Sequence, residues 1–194
     1  MGQNVQEKFD NPSKLFIWAF SIGNFIRGRS YYKELLKEIN LSGNESVLEF
    51  GSGVGSFAKQ LASKLQPQGQ LTCVDVSPKL LDHTKGKLKN YSNIGYFQGD
   101  ITNSSFPDNS FDIIVSTWVL HHVEKSLLEQ TIKKLGDLLK ENGKIFIIEF
   151  PDSNIKHTNL SQIELLNLFR HANLTYNIIF SKKHGILYEF SKSS

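Results

Sequence analysis

Glu49-Phe50-Gly51-Ser52-Gly53-Val54-Gly55 sets a carboxylate ahead of three glycines at every second position. Glycine admits positive φ and lets the backbone come close to a ligand, and a helix after such a loop presents unpaired N–H groups. A nucleotide-like ligand is therefore the first chemistry to test. The dinucleotide fingerprint needs a third glycine at position 56, where Ser56 stands and the glycine comes one residue early, at Gly55. That weakens a nicotinamide oxidoreductase reading. A phosphate-cradling loop needs a closing Gly-Lys-Ser/Thr, which is missing. A ligand with a fixed positive charge and no pyrophosphate explains Glu49 better, because a carboxylate at a strand end attracts an ammonium or sulfonium group. Asp75, at the end of the next apolar run, can accept from both hydroxyls of a ribose. In Gly99-Asp100-Ile101, Asp100 can accept from an exocyclic adenine amine while the Ile101 N–H meets the ring. Each acid alone could be a solvated turn carboxylate; three at successive strand ends beside a glycine loop form a constellation.

These groups need strands to carry them. Short apolar runs alternate with helical periods from Ser46 onward, which predicts βαβ units and a mostly parallel sheet. Strands are expected at Ser46–Phe50, Leu71–Val76, Ile94–Gln98, Ile113–Ser116 and Ile145–Phe150, the last entered through an Asn142-Gly143 turn. Helices are expected at Tyr31–Ile39 with Gly43 as the stop, at Phe57–Leu65, and from a Ser77-Pro78 cap to about Lys89. Two capping-box spacings, Ser126 to Glu129 and Ser161 to Glu164, predict helices ending near Lys140 and His171. The runs Thr175–Phe180 and Ile186–Phe190 lie too close for a parallel crossover and read as an antiparallel pair. Residues 15–26 are nearly continuous in apolar side chains but too short to span a bilayer. A packed helix, a lid over a substrate pocket and an interfacial membrane helix are the three readings of that run, the first being the blandest.

At 194 residues the chain is of single-domain length, and 39% hydrophobic with 21% charged residues excludes a disordered or membrane-bundle protein. The balance of 22 basic and 19 acidic residues gives +3, too small a surplus to argue for a nucleic-acid partner. The only arginines are Arg27, Arg29 and Arg170, although base reading favours arginine. Cys73 is the sole cysteine, which excludes a disulfide framework and any Cys-rich metal site; no metal is expected. No secretory signal pattern opens the sequence, so the cytoplasm is the expected compartment.

On these motifs the sequence resembles the class I S-adenosylmethionine-dependent methyltransferases, and within them the small-molecule branch that includes the ubiquinone/menaquinone C-methyltransferase type. The resemblance covers about residues 46 to 190 and includes the Phe106-Pro107-Asp108-Asn109-Ser110-Phe111-Asp112 block and Leu138-Leu139-Lys140-Glu141-Asn142-Gly143-Lys144. It implies a Rossmann-like, doubly wound α/β fold with a seven-stranded sheet, mostly parallel with the last strand antiparallel. Residues 1–45 would form a helical cap on a methyltransferase domain at 46–194. S-adenosylmethionine, leaving as S-adenosylhomocysteine, would meet Glu49, Gly51, Ser52, Gly53, Gly55, Asp75, Val76, Asp100, Ile101 and Thr117. His121 and His122 would lie beside the methyl group, where a histidine titrating near neutrality can take a proton from an acceptor oxygen, nitrogen or acidic carbon. One of the pair packing in the core is the plainer alternative. Trp18, Tyr31, Tyr32 and Trp118 would line an acceptor pocket, with Asp152 a weaker candidate; such aromatics are often plain core.

Absent devices narrow the acceptor. Ser116-Thr117-Trp118-Val119 replaces the Asp/Asn-Pro-Pro-aromatic block of adenine amine methylation, no paired-glutamate loop for arginine methylation follows, and Cys73 sits inside a strand. A small, partly apolar acceptor is expected, with no nucleic acid, peripheral membrane contact through the N-terminal run as an option, and a monomer or homodimer. A cofactor-binding partner or sensor without chemistry of its own is the competing class.

Overall fold

The computed structural model describes residues 28–152 and 160–193. Seven strands are ordered β3-β2-β1-β4-β5-β7-β6 in one sheet. They are β1 (Ser46–Phe50), β2 (Gln70–Asp75), β3 (Ile94–Gln98), β4 (Phe111–Thr117), β5 (Leu139–Glu149), β6 (Leu174–Lys182) and β7 (Gly185–Lys192). β1–β2, β2–β3 and β4–β5 pair in parallel, while β7 runs antiparallel to both β5 and β6. The expected α/β sheet and its antiparallel final strand are therefore present. The chain divides into two compact units, Met1–Asp100 and Ile101–Ser194.

In the first unit α1 covers residues 28–39 and buries Tyr31, Tyr32 and Leu35. It stops at Asn40, whose φ of 49° is left-handed, three residues before the expected Gly43. Asparagine tolerates that conformation because its short side chain can bond locally. The next helix, α2, is only Ala58–Ala62, shorter than expected. α3 (Pro78–Leu88) starts as the sequence predicts: Leu80 N–H donates to the Ser77 hydroxyl at 3.4 Å, and proline occupies the first turn, where its missing N–H costs nothing. β1 pairs Glu49 with Cys73 and Phe50 with Val74, so the glycine loop leaves the sheet level with the end of β2.

In the second unit α4 spans Lys125–Leu138 and α5 spans Gln162–His171. Ser161 caps α5, accepting from Glu164 N–H at 3.2 Å. Ser126 caps nothing, contrary to expectation: α4 begins two residues ahead of the capping-box position, with Glu124 at its N-cap and no side-chain cap bond. α4 also ends two residues early, because Leu139 is already extended and fully buried as the first residue of β5. Asn142-Gly143 accordingly lies inside β5 rather than before it, where pairing jumps from Phe111↔Leu139 to Ile113↔Lys144. A side chain at Gly143 would meet Leu139 Cδ1 at 2.7 Å and the Asp112 carbonyl at 2.9 Å, which is why glycine sits there. Phe169 of α5 stacks on Phe190 of β7 at 3.7 Å between ring centroids, joining helix to sheet through buried aromatic area. Among the described residues no helix is long and apolar enough to cross a membrane.

Candidate functional site

The glycine loop folds back onto the end of β2. Gly51 and Ser52 N–H both donate to the Val74 carbonyl at 2.9 Å, and Gly53 N–H donates to Asp75 Oδ2 at 2.7 Å. Gly51, Gly53 and Gly55 have φ of 76°, 53° and 69°, so the spacing of glycines is the spacing of left-handed residues. From α3, the Thr84 hydroxyl donates to the Gly53 carbonyl at 2.9 Å, and a Cβ on Gly55 would lie 2.8 Å from Thr84 Oγ1. Asp75 Oδ1 accepts Ser77 N–H at 2.9 Å. Burial raises the Asp75 pKa, against the pull of the Ser77 and Gly53 amides. Each carboxylate oxygen still has lone-pair capacity for a further donor.

Glu49 stands beside this loop, 3% exposed. It takes one hydrogen bond, from the Ala58 backbone, and its Oε2 has no partner among the described residues. Burial first, and then the Asp75 charge, push its carboxyl well above the usual range. A buried acid with an open oxygen beside a second acid is a pair whose charged form a nearby cation would favour. Ser52 is buried with its hydroxyl unpartnered as well, and Val76 is an exposed apolar residue at the strand end. Asp100 follows Gly99, whose N–H donates to the Asp75 carbonyl at 3.1 Å. Burial raises the thiol pKa of Cys73, a buried small hydrophobe as expected. Tyr31 and Tyr32 are taken up by packing of this unit, Tyr32 stacking on Phe57 at 4.9 Å. Trp18 lies outside the described residues.

In the second unit Ile101 is fully buried at the start of a 3-10 turn, and Thr117 ends β4. Trp118 has φ 55°, a left-handed conformation that a bulky residue rarely adopts. Its backbone N–H donates to the Ile148 carbonyl at 2.7 Å and its indole N–H to the His184 carbonyl at 3.1 Å. The chain then enters the 3-10 turn Leu120–His122, bringing the His121 and His122 rings to 3.9 Å. His122 has its pKa lowered to about 4, by burial first and then by His121, so it is uncharged near neutrality. Asp152 accepts Gln162 N–H at 2.8 Å and so helps start α5.

The residue missed at sequence level is Glu149, the last of β5. It is 4% exposed and accepts from Val119 and Leu120 N–H at 3.0 and 2.8 Å, while His121 Nδ1 lies 2.7 Å from its other oxygen. The available signal was a repeated strand ending, Leu48-Glu49-Phe50 and Ile148-Glu149-Phe150. Tyr188, on β7, is buried with its hydroxyl unpartnered among the described residues and pushed up to about 12 by burial, then Asp152 and Glu149. Among the described residues no group of His, Cys, Asp and Glu converges as a metal site would require.

Residues 47–143 match a family model described as a methyltransferase domain. A demethylmenaquinone methyltransferase of Staphylococcus saprophyticus is 29% identical over 147 residues, which are 76% of this chain and 62% of that protein. Phosphoethanolamine N-methyltransferase 3 of Arabidopsis thaliana is 34% identical over 106 residues, 54% of this chain and 21% of the relative. The chain thus spans about three-fifths of the length of the first relative and far less of the second. The N-methyltransferase NodS of Bradyrhizobium japonicum, solved with S-adenosyl-L-homocysteine, superposes with a TM-score of 0.73 at 22% identity, covering 86% of this chain and 87% of that one. That likeness shows a shared fold.

Proposed function

This chain belongs to the class I S-adenosylmethionine-dependent methyltransferase family, its methyltransferase domain matching over residues 47–143, and from that premise we propose that it methylates a small, partly apolar acceptor. The observation that carries the reading is the buried Glu49, one oxygen unpartnered among the described residues, beside a left-handed glycine loop anchored on Asp75. Such a site fits a ligand that brings a cationic amino-acid end, a ribose diol and no pyrophosphate. Glu49 and the loop would hold the charged end, Asp75 the ribose, and Val76 offers apolar surface to the base. Asp100, Ile101 and Thr117 are assigned to the same ligand on the resemblance. When bound, S-adenosylmethionine supplies an electrophilic sulfonium methyl for in-line displacement.

The protein's own part is then to orient the acceptor, exclude water and handle its proton. His122, uncharged near neutrality, can accept that proton. Trp118 and Phe150, with ring centroids 6.4 Å apart, offer an aromatic wall suited to a ring-bearing acceptor. Residues 1–45 are assigned the role of cover; the apolar run at 15–26 lies outside the described residues, and a helix packed on the domain, a lid over the acceptor and a membrane-surface helix are its three readings.

The test is calorimetry with S-adenosylmethionine followed by radiolabelled methyl transfer to fractionated cell extract. Binding with transfer to a small-molecule fraction is the expected result. Binding without transfer to any fraction would replace the enzyme by a cofactor-binding partner or sensor, and no binding would overturn the site.

A further inference from the structure

We propose that Glu149 is a positioning residue that fixes His121 in its Nδ1–H form and holds the Trp118–His122 turn in its left-handed entry. The kinetic consequence rests on the proposed function above; the protonation consequence does not. Three donors converge on this one buried carboxylate: Val119 N–H and Leu120 N–H on Oε1, and His121 Nδ1 on Oε2. An ionised carboxylate only accepts, so in that form of Glu149 the 2.7 Å contact places the proton on His121 Nδ1. In the neutral form of the ring Nε2 is then left as an acceptor, and which nitrogen carries the proton is set by this partner.

The division of labour between the two oxygens argues for more than a turn clamp. Capture of the two amides uses Oε1 alone, and that suffices to satisfy the backbone after Trp118, whose φ of 55° exposes the turn to relaxation. Oε2 does something the backbone does not need: it selects the protonation of a ring lying 3.9 Å from His122 and 5.1 Å from Phe150. Side-chain exposure of 5% for both Glu149 and His121 keeps bulk water from exchanging that partner. The other titratable groups facing the carboxylate are Tyr188 from β7, with Asp152 acting on the same hydroxyl, and His122 across the His121 ring. The tyrosine hydroxyl is shifted away from ionisation, so it brings no competing negative charge at neutral pH.

Glu149→Gln separates the two jobs. The glutamine carbonyl still accepts both amides, but its NH2 cannot accept from Nδ1–H, so His121 must move its proton to Nε2. Nitrogen-15 NMR of the imidazoles reads this directly. The expected result is Nδ1–H at His121 in the wild-type protein and Nε2–H in Glu149→Gln, with S-adenosylmethionine Kd within twofold. With reduced 1,4-naphthoquinone as the acceptor probe, kcat should fall at least tenfold in the variant while KM for S-adenosylmethionine holds. Nε2–H at His121 in the wild type overturns the proposal whether or not any variant folds, as does an unchanged tautomer or an unchanged kcat in Glu149→Gln. If the wild type methylates no naphthoquinol, the acceptor reading fails and the tautomer alone decides the role of Glu149.

Discussion

Glu49 does two opposed things for this protein. Its burial raises the carboxyl pKa, so in the ligand-free state the unfolded chain loses this proton first. The sign follows: below the ordinary carboxylate range Glu49 is protonated in both states and neutral to stability, and the penalty grows as pH rises toward the folded pKa. Glu49→Gln should therefore raise Tm at neutral pH and leave it unchanged near pH 3; each 1 kcal/mol gained corresponds to about 2–4 °C in a chain this size. The same variant should weaken S-adenosylmethionine binding roughly tenfold or more, a loss of about 1.4 kcal/mol per decade. Calorimetry in buffers of different ionisation enthalpy should show a proton released on binding by the wild type and none by the variant. His122 carries the second prediction. With its pKa lowered to about 4, its protonated and inactive form appears only in acid, so the acid limb of the kcat profile should fall through about 4 and not near 6.5. His122→Ala should reduce kcat by roughly 10²–10⁴, the usual worth of a general base.

Secondary structure was legible at several places where the signal is local. Ser77 with Pro78 and Ser161 with Glu164 start helices where the sequence says, because a cap is a contact between residues three apart. Ser126 misled, since the same spacing occurs inside a helix already begun at Lys125. The contrast is measurable: Ser161→Ala should cost about 1 kcal/mol in urea denaturation, while Ser126→Ala should stay within about 0.5 kcal/mol. The conformation of the glycine loop was readable for a related reason, each glycine marking one left-handed residue. Trp118 was not readable, because tryptophan carries no preference for the left-handed region it occupies. Glu149 escaped because its three partners lie 28 to 30 residues earlier, and the repeated Leu/Ile-Glu-Phe strand ending marks the acid without naming contacts that distant.

The seven-stranded sheet and its final antiparallel strand followed from element order, which is a property of the entire chain. The role of the first 45 residues did not follow, because the cover of an apolar run is a long-range choice that periodicity leaves open. Deleting residues 1–28 should abolish transfer while cofactor binding persists; unchanged kinetics would remove the lid. A consequence of another kind comes from the bond between the Trp118 indole N–H and the His184 carbonyl. Its acceptor is synthesised 66 residues after its donor, at a hairpin whose strand β7 must slot between β5 and β6. At roughly 5–20 residues per second, a growing chain passes about 3–13 s with Trp118 made and its tether still missing. The turn after Trp118 therefore gains this tether only once the β6–β7 hairpin has emerged and closed, whereas the bonds that hold the glycine loop to Asp75 and Thr84 join residues made well before it.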